Sequence, residues 1–165
     1  MCFDKRTEEQ TKDLYPDFRA RLFRVLTDMY EKTGHKMSVT SGYRSYQHQK
    51  ELWDQGRTKP GRVVTNRKPG HSFHNFGLAA DCCFINKDDP YLEKHPDKDK
   101  LWAKYGEIAN LHGLRWGGSF TKLVDLPHVE CAYQTDLDRL QMMYEQGGIK
   151  LVFFQMDKLV YNKIA

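Results

Sequence analysis

No stretch of the 165-residue sequence is apolar for the length of about 18 residues that a membrane-spanning helix requires. The first 18 residues, MCFDKRTEEQTKDLYPDF, also lack the apolar core of a secretory signal. We therefore expect a protein made in a (host) cytoplasm without a signal peptide and with no membrane partner. If it acts outside the cytoplasm, a separate factor must release it.

Cysteine is scarce, and its spacing excludes two kinds of site. The cysteines are Cys2, Cys82, Cys83 and Cys131, with no C-x-x-C pair among them, so neither a thiolate zinc site nor a dithiol redox motif is indicated. The neighbours Cys82 and Cys83 would point to opposite faces of a strand, which disfavours a disulfide between them. We expect all four thiols to be reduced.

An excess of charge of one sign is also lacking. Lys and Arg number 26 against 22 Asp and Glu, a net charge of +4. The basic residues look scattered, with no stripe interleaved with aromatics, so we expect no nucleic-acid partner. A small positive charge is compatible with any polyanionic surface, including a bacterial wall.

The sequence contains no internal repeat, low-complexity segment or linker, and 39% of it is hydrophobic, as in globular proteins. This predicts one domain over residues 1–165, with its motif-bearing core at about 17–148. We also expect the protein to be a monomer. Helical spacing and cap residues predict helices at residues 17–32, 45–56, 100–112 and 135–148, the last opened by Thr135 as N-cap. Alternation of apolar with small or polar residues predicts a strand at residues 36–43, and further strands are predicted at 78–85, a short apolar run, and at 128–133 and 150–154. Residues 57–70 are rich in Lys, Arg, Pro and Gly and are predicted to form a mobile loop. The irregular order of these elements favours the α+β class, with a small, mainly antiparallel sheet packed with helices.

The segment HSFHNFGLAAD, residues 71–81, carries two side chains that bind metals. A catalytic zinc takes three protein ligands from His, Asp or Glu and leaves a fourth position for water. His74 and Asp81 are suitable ligands, and Gly77 between them allows a loop to turn into a strand. These two residues are equally compatible with an ordinary hydrogen-bonded pair, so the segment alone indicates two-thirds of a site.

The segment VDLPHVE, residues 124–130, offers a third ligand and a base. His128 follows a proline at the start of a predicted strand, and Asp125 precedes it by three residues. A metal-bound water needs a nearby carboxylate to accept its proton. Asp125 is our first choice for this base, although an Asx turn before Pro127 is an alternative. Glu130 is the second, because it faces the same side of the strand as His128, where it could instead orient that ligand.

Arg44, in SGYRS, lies between a predicted strand and the next helix. A guanidinium at that position can bind a substrate carboxylate in a bidentate manner. A solvated loop arginine is the alternative.

Four motifs, taken in order, resemble those of one family. They are SGYRS with Gln49, S-x-H-x-x-G-x-A-x-D at residues 72–81, W-G-G at 116–118 and D-x-P-H at 125–128. Together they are similar to the zinc D-Ala-D-Ala carboxypeptidases and dipeptidases and the phage L-alanyl-D-glutamate endopeptidases. The resemblance covers about residues 17–130. It implies the D-Ala-D-Ala peptidase/hedgehog-like fold, with a zinc site at the sheet.

The resemblance also implies a role for each matching residue. The zinc (Zn2+) ligands would be His74, Asp81 and His128. The general base would be Asp125. The residues that would hold the substrate are Arg44, Ser72 and Gln49. His71 is a further candidate for assisting catalysis, with a plain loop histidine as the alternative.

The segments HNFGLAAD and D-L-P-H are more similar to those of the phage endolysin branch than to those of the vancomycin-resistance branch, which usually has Glu as its base. Phage members commonly carry an acid after W-G-G, where this chain has Ser119. The function implied is a bacteriophage endolysin for host lysis, a zinc metallopeptidase that cleaves the L-Ala–D-Glu bond of peptidoglycan after its release from the cytoplasm.

Two alternatives stay open. Within the same enzyme class, a D,D-carboxypeptidase would remove terminal D-Ala with the same metal site. From a different class, a non-catalytic zinc module would only bind the wall. Asp125 disfavours the second alternative, because a binding module does not need a base beside its metal.

Overall fold

A computed structural model describes residues 3–86 and 88–161, and of Tyr161 the backbone only. The α-helices within these ranges are α1 (Lys5–Thr11), α2 (Pro16–Thr33), α3 (Tyr46–Asp54), α4 (Lys98–Leu111) and α5 (Leu137–Tyr161). The strands are β1 (Met37–Ser41), β2 (Ala79–Phe84), β3 (Arg115–Trp116) and β4 (His128–Glu130). Short 3-10 helices lie at Phe73–Phe76 and Gly117–Ser119. No described helix has the length and apolar character needed to cross a membrane.

The chain divides into two compact units. The first contains residues 1–42 and 79–131, and the second contains residues 43–78 and 132–165. All the strands named above belong to the first unit. Our prediction of a single domain stays a prediction.

The sheet of the first unit has the order β1-β2-β4-β3 and every pairing in it is antiparallel. Strand β2 is central, so side chains on both of its faces are buried, as its apolar run predicted. Its pairing with β4 sets Asp81 opposite His128. These observations confirm the α+β class with a small antiparallel sheet.

Helix α2 supplies much of the core of the first unit. Its buried residues recur at helical spacing and are Phe18, Leu22, Val25, Leu26 and Met29. It begins with Pro16 in its first turn and ends at Gly34, whose N–H donates to the Tyr30 carbonyl. The prediction of a helix at residues 17–32 is therefore confirmed to within one residue at each end.

Helix α1 was not predicted, because its buried face carries threonines where an apolar stripe would be expected. Asp4 caps it by accepting the N–H of Thr7 at 2.7 Å. The Thr7 hydroxyl accepts the N–H of Val39 at 3.0 Å, which ties α1 to β1 through a buried polar contact. Binary patterning cannot detect a helix held in this way.

The second unit combines α3, α5 and the 3-10 helix Phe73–Phe76. Ser45 caps α3, as predicted, by accepting the N–H of His48 at 3.1 Å. The ring of Tyr46 stacks on Tyr144 at a centroid distance of 4.6 Å, and Phe76 meets Tyr144 edge-on at 6.1 Å. These aromatic contacts fix the 3-10 helix against α3 and α5.

Several sequence predictions were wrong at the C-terminal end. Residues 150–154 form part of α5 and not a strand, and α5 continues past Gly147 and Gly148 after a local break. Asp136, not Thr135, accepts the N–H of Arg139 at 2.8 Å and caps the helix. The strand predicted at residues 128–133 ends at Glu130.

Cys82, Cys83 and Cys131 are buried thiols, in agreement with the expected reduced state, whereas Cys2 lies outside the described residues. Burial raises the pKa of the Cys82 thiol to about 12, which keeps it protonated and unreactive.

Candidate metal centre

Asp81 and His128 form the centre of the site in the first unit. They are cross-strand partners on β2 and β4, and Asp81 Oδ1 lies 3.0 Å from Nδ1 of His128. His128 is buried and is the first residue of β4, directly after Pro127, as the sequence predicted. Strand pairing therefore brings together two residues that are 47 positions apart.

The loop between β3 and β4 holds Asp125 next to His128. The Asp125 N–H donates to the Gly117 carbonyl at 3.0 Å, and the His128 N–H donates to the Asp125 carbonyl at 3.2 Å. The Trp116 indole donates to the Leu126 carbonyl at 2.8 Å. The W-G-G and D-x-P-H motifs thus form one hydrogen-bonded unit.

Gly117 allows the two halves of that unit to approach closely. A Cβ at this position would lie 2.5 Å from the Asp125 carbonyl oxygen, 2.9 Å from Cβ of His128 and 3.2 Å from Cβ of Asp125. Both side chains therefore start from the same small region around Gly117, and Asp125 is half-buried. Any larger residue at position 117 would push Asp125 and His128 apart.

Glu130 is engaged on both of its oxygens. Its Oε2 lies 3.0 Å from Nε2 of His128, and its Oε1 accepts Nε of Arg115 at 2.8 Å. Arg115 is its cross-strand partner on β3. A carboxylate held in this way orients the imidazole, which is the alternative role that its strand position suggested.

The two carboxylates determine the charge of His128. Burial lowers the pKa of His128, but its hydrogen bonds with Asp81 and Glu130 raise it more, to about 9. For Glu130, burial raises the pKa, whereas the contacts with His128 and Arg115 lower it below its usual value. The carboxylates thus favour a positive charge between them, a requirement that a divalent metal also meets.

His74 lies on the 3-10 helix of the second unit, where it is buried. Its carbonyl accepts the N–H of Arg44 at 3.0 Å. The next residue, Asn75, is fully buried; its Nδ2 donates to the Arg44 carbonyl at 2.9 Å and its Oδ1 accepts the Gly70 N–H at 3.0 Å. Arg44 is therefore fixed by its backbone against the segment that carries His74.

Asn75 and Arg115 were missed by the sequence reasoning. The signal for Asn75 was a polar residue inside the aromatic run F-H-N-F, which indicates a buried amide that needs partners. Arg115 gave no comparable signal, because its contact depends on the register between β3 and β4.

The other predicted site residues lie in the second unit. Ser72 is buried directly before the 3-10 helix, and His71 is exposed. Gln49 is fully buried, and its Nε2 donates to the Arg67 carbonyl at 2.8 Å and to Oγ1 of Thr65 at 3.3 Å. The amide of Gln49 therefore holds the loop at residues 65–67, and its contact with substrate stays a prediction.

The donor set fits the predicted cofactor. His74, Asp81 and His128 are a group of side chains that could hold a metal ion. Two imidazoles and one carboxylate are ligands that zinc takes at catalytic sites, where a fourth position is left for water.

The sequence is similar to known proteins. Residues 65–131 match the model of the D-alanyl-D-alanine carboxypeptidase family. The peptidoglycan L-alanyl-D-glutamate endopeptidase CwlK of Bacillus subtilis is 38% identical over 102 residues, which are 59% of this chain. The chain spans 61% of the length of that relative.

Solved structures share the fold. The LdcB LD-carboxypeptidase superposes with a TM-score of 0.59 at 19% identity, over 87% of this chain and 70% of that one. DacB from Streptococcus pneumoniae superposes with a TM-score of 0.56 at 19% identity, over 86% and 80% of the two chains. The resemblance inferred from the four motifs, and the fold it implied, are therefore confirmed.

Proposed function

We propose that this relative of the D-alanyl-D-alanine carboxypeptidase family is a zinc-dependent murein peptidase that cleaves the L-Ala–D-Glu bond of the peptide stem. The observation that supports the proposal is the arrangement of carboxylates around His128. Asp81 contacts one ring nitrogen of His128 and Glu130 contacts the other, while Asp125 lies three residues earlier in a hydrogen-bonded loop. A wall-binding module would not need Asp125.

The proposed ligands are His74, Asp81 and His128. A zinc ion held by them would polarise the carbonyl of the scissile bond and lower the pKa of a bound water to about 7. Asp125 would act as the general base that accepts a proton from the attacking water and returns it to the leaving amine. Its hydrogen-bonded loop limits its movement, so little reorganisation is needed. Glu130, held by Arg115, keeps the His128 ring in one orientation.

Arg44 is proposed to bind a carboxylate of the stem peptide, because a guanidinium matches the two oxygens of a carboxylate. Its backbone is tied to both His74 and Asn75, so its position is set by the same segment that supplies a ligand. Ser72, two residues before His74, would add a polar contact to the substrate.

Among cleavage sites, the L-Ala–D-Glu bond is supported by the similarity to CwlK, which is an L-alanyl-D-glutamate endopeptidase. The rival is removal of terminal D-Ala, which the name of the matching family model favours. Mass spectrometry of purified sacculi after digestion separates the two. We expect whole stems beginning with D-Glu to be released; release of free alanine alone would instead identify a D,D-carboxypeptidase.

The setting proposed for this activity is a phage endolysin that acts as a monomer on the wall during host lysis. The support is the HNFGLAAD and D-L-P-H wording of the motifs. The test is the loss of turbidity of permeabilised cells, with and without a chelator. Cells that stay turbid while isolated stems are cut would point to maturation of the wall and not to lysis.

A further inference from the structure

The loop at residues 57–70 concentrates the positive charge of this protein. It holds five cations and no acids, whereas the rest of the chain has 21 cations and 22 acids, a net charge of −1. The loop therefore accounts for the whole surplus of +4. The inference that the basic residues are scattered along the chain is therefore wrong for residues 57–70.

One of the five cations, Arg57, stabilises the conformation of the loop. The Arg57 guanidinium lies 3.6 Å from the centroid of the Trp53 ring and donates to the carbonyls of Trp53 at 2.8 Å and Thr65 at 3.0 Å. The amide of Gln49 holds the Arg67 carbonyl from the other side of the loop. Asn75 fixes its end at Gly70. The loop is thus a shaped surface, tied to the segment that carries His74.

The remaining cations project from this frame. Lys59, Arg62, Arg67 and Lys68 are all exposed. Among the described residues, no carboxylate forms an ion pair with Lys59, Arg62 or Lys68. Lys59 has Asp54 as an acidic neighbour, whose pKa it helps to lower, but four exposed cations on one loop that contains no acid still create a field that attracts a polymer carrying repeated negative charge.

We propose that this loop is a docking surface for phosphodiester-linked anionic polymers of the bacterial wall. The inference rests on the proposed function, which sets the enzyme on that wall, and it deepens it by naming what the enzyme binds beside the peptide stem. Lys and Arg bind phosphate oxygens through charge-assisted hydrogen bonds, and several weak contacts along one polymer add together. Docking there would hold the polymer near the segment with His74 and Arg44.

Other polyanions fit the loop less well. Single-stranded nucleic acid uses aromatic faces for base stacking, but Arg57 covers the Trp53 ring. A membrane surface would favour several apolar side chains for insertion, whereas only Val63 and Val64 are half-exposed at the tip, at 50% and 53%. Recognition of a polymer by this loop would therefore depend mainly on the charges of its lysines and arginines.

The test measures co-sedimentation of the zinc-loaded protein with sacculi on ice. One sample of sacculi retains its phosphate polymers, and the other is stripped of them with hydrofluoric acid. The test variant replaces Lys59, Arg62 and Lys68 by Gln, and leaves Arg57 and the Gln49 contact in place. The matched control replaces the exposed Arg24, Lys94 and Lys150 by Gln, with the same change in net charge. Thermal unfolding verifies that both variants fold.

At low salt, each cation near an anionic surface contributes roughly five-fold to binding, so the test variant should bind phosphate-bearing sacculi ~100-fold more weakly. Stripping should weaken the wild type to a similar extent, and the control variant should bind like the wild type. The proposal is overturned if the test variant binds like the wild type, if stripping has no effect, or if both variants lose affinity equally. Equal affinity for anionic phospholipid vesicles or for DNA would also overturn it.

The wild type is assayed in parallel on soluble stem peptides. That assay tests the proposed peptidase activity without the polymer, so a failure of catalysis and a failure of docking give separate results.

Discussion

His128 has two ring nitrogens, and each faces a different carboxylate. Nδ1 faces Asp81, a proposed ligand, while Nε2 is occupied by Glu130, which Arg115 holds in turn. A metal on the Asp81 side would therefore leave Glu130 as the group that fixes ring orientation. Under the proposed function, the two carboxylates near His128 on the chain would have different roles: Glu130 would position the imidazole, and Asp125 would transfer protons.

Asp125→Asn should retain zinc and fold but lose activity by ~10²–10⁴-fold. Asn has nearly the same shape, so the loop that is hydrogen-bonded to Gly117 should survive, but an amide does not accept a proton at neutral pH. The measurement is the rate of stem-peptide cleavage, with zinc content determined on the same samples.

Glu130→Gln is the matched control, because it also replaces a carboxylate by an amide beside His128. We expect zinc to be held ~10–100-fold more weakly, with turnover largely restored when zinc is in excess. If Glu130→Gln is inactive with zinc bound while Asp125→Asn still turns over, the two roles are reversed.

Arg44→Lys should lower activity and raise the KM for stem peptides while leaving zinc bound. Lysine keeps the charge but loses the planar pair of donors that fits a carboxylate. Steady-state kinetics on a defined stem peptide would detect the change, with the exposed Arg24→Lys as control. An unchanged KM would show that Arg44 does not contact the substrate.

At this scale, short motifs in the sequence indicated the candidate site residues but not the residues that hold them in place. The candidates His74, Asp81, Asp125 and His128 follow from residue type and spacing within short motifs. Arg115 and Asn75 act through a strand register and through backbone groups of distant residues, which no local pattern reveals.

Among the elements, the sheet was predicted better than the C-terminal segment. The apolar run at residues 78–85 was short and bounded, so a buried strand was the natural interpretation. The run KLVFF has the same character, but Val152 and Met156 are the residues of that region that are buried, four apart, as on one face of a helix. Two adjacent glycines had suggested an end where α5 only breaks locally.

The break in α5 makes a prediction about Gly148. Its φ of 65° and ψ of −165° lie in a region that glycine alone adopts readily, and no heavy atom lies within 4 Å of where a Cβ would be. Gly148→Ala should therefore destabilise the fold by ~1–3 kcal/mol through backbone strain alone.

Chemical denaturation would measure this loss. Gln146→Ala, two residues away at an exposed position, serves as the control and should stay within ~0.5 kcal/mol of the wild type. Equal stability of Gly148→Ala and the wild type would mean that α5 runs straight through the glycines.

At the scale of the whole molecule, the basic loop at residues 57–70 and the candidate metal site determine how charge is distributed and how metal binding affects stability. Apart from the basic loop, the chain is close to electrically neutral. The half-buried carboxylate of Asp81 and the buried carboxylate of Glu130 are matched by His128 and Arg115. His128 would bind a metal in its deprotonated form, so the ion would take the place of the proton as the positive charge between the carboxylates, and metal binding and folding should be coupled.

Zinc should accordingly stabilise the protein, at one ion per chain. A ligand that binds only the folded state adds ~4 kcal/mol when its free concentration is 1,000 times its Kd, and a change of that size raises the Tm by roughly 8–16 °C for a chain of this length. His74→Ala and His128→Ala should lose the bound zinc and most of this rise, because two remaining ligands hold zinc weakly. Thermal unfolding with increasing zinc, together with metal analysis, measures both effects.

His71→Ala is the control, since it removes an exposed histidine only three residues from His74 and should keep the full response to zinc. Stoichiometric, tightly held zinc in both ligand variants would contradict the assignment of the metal site.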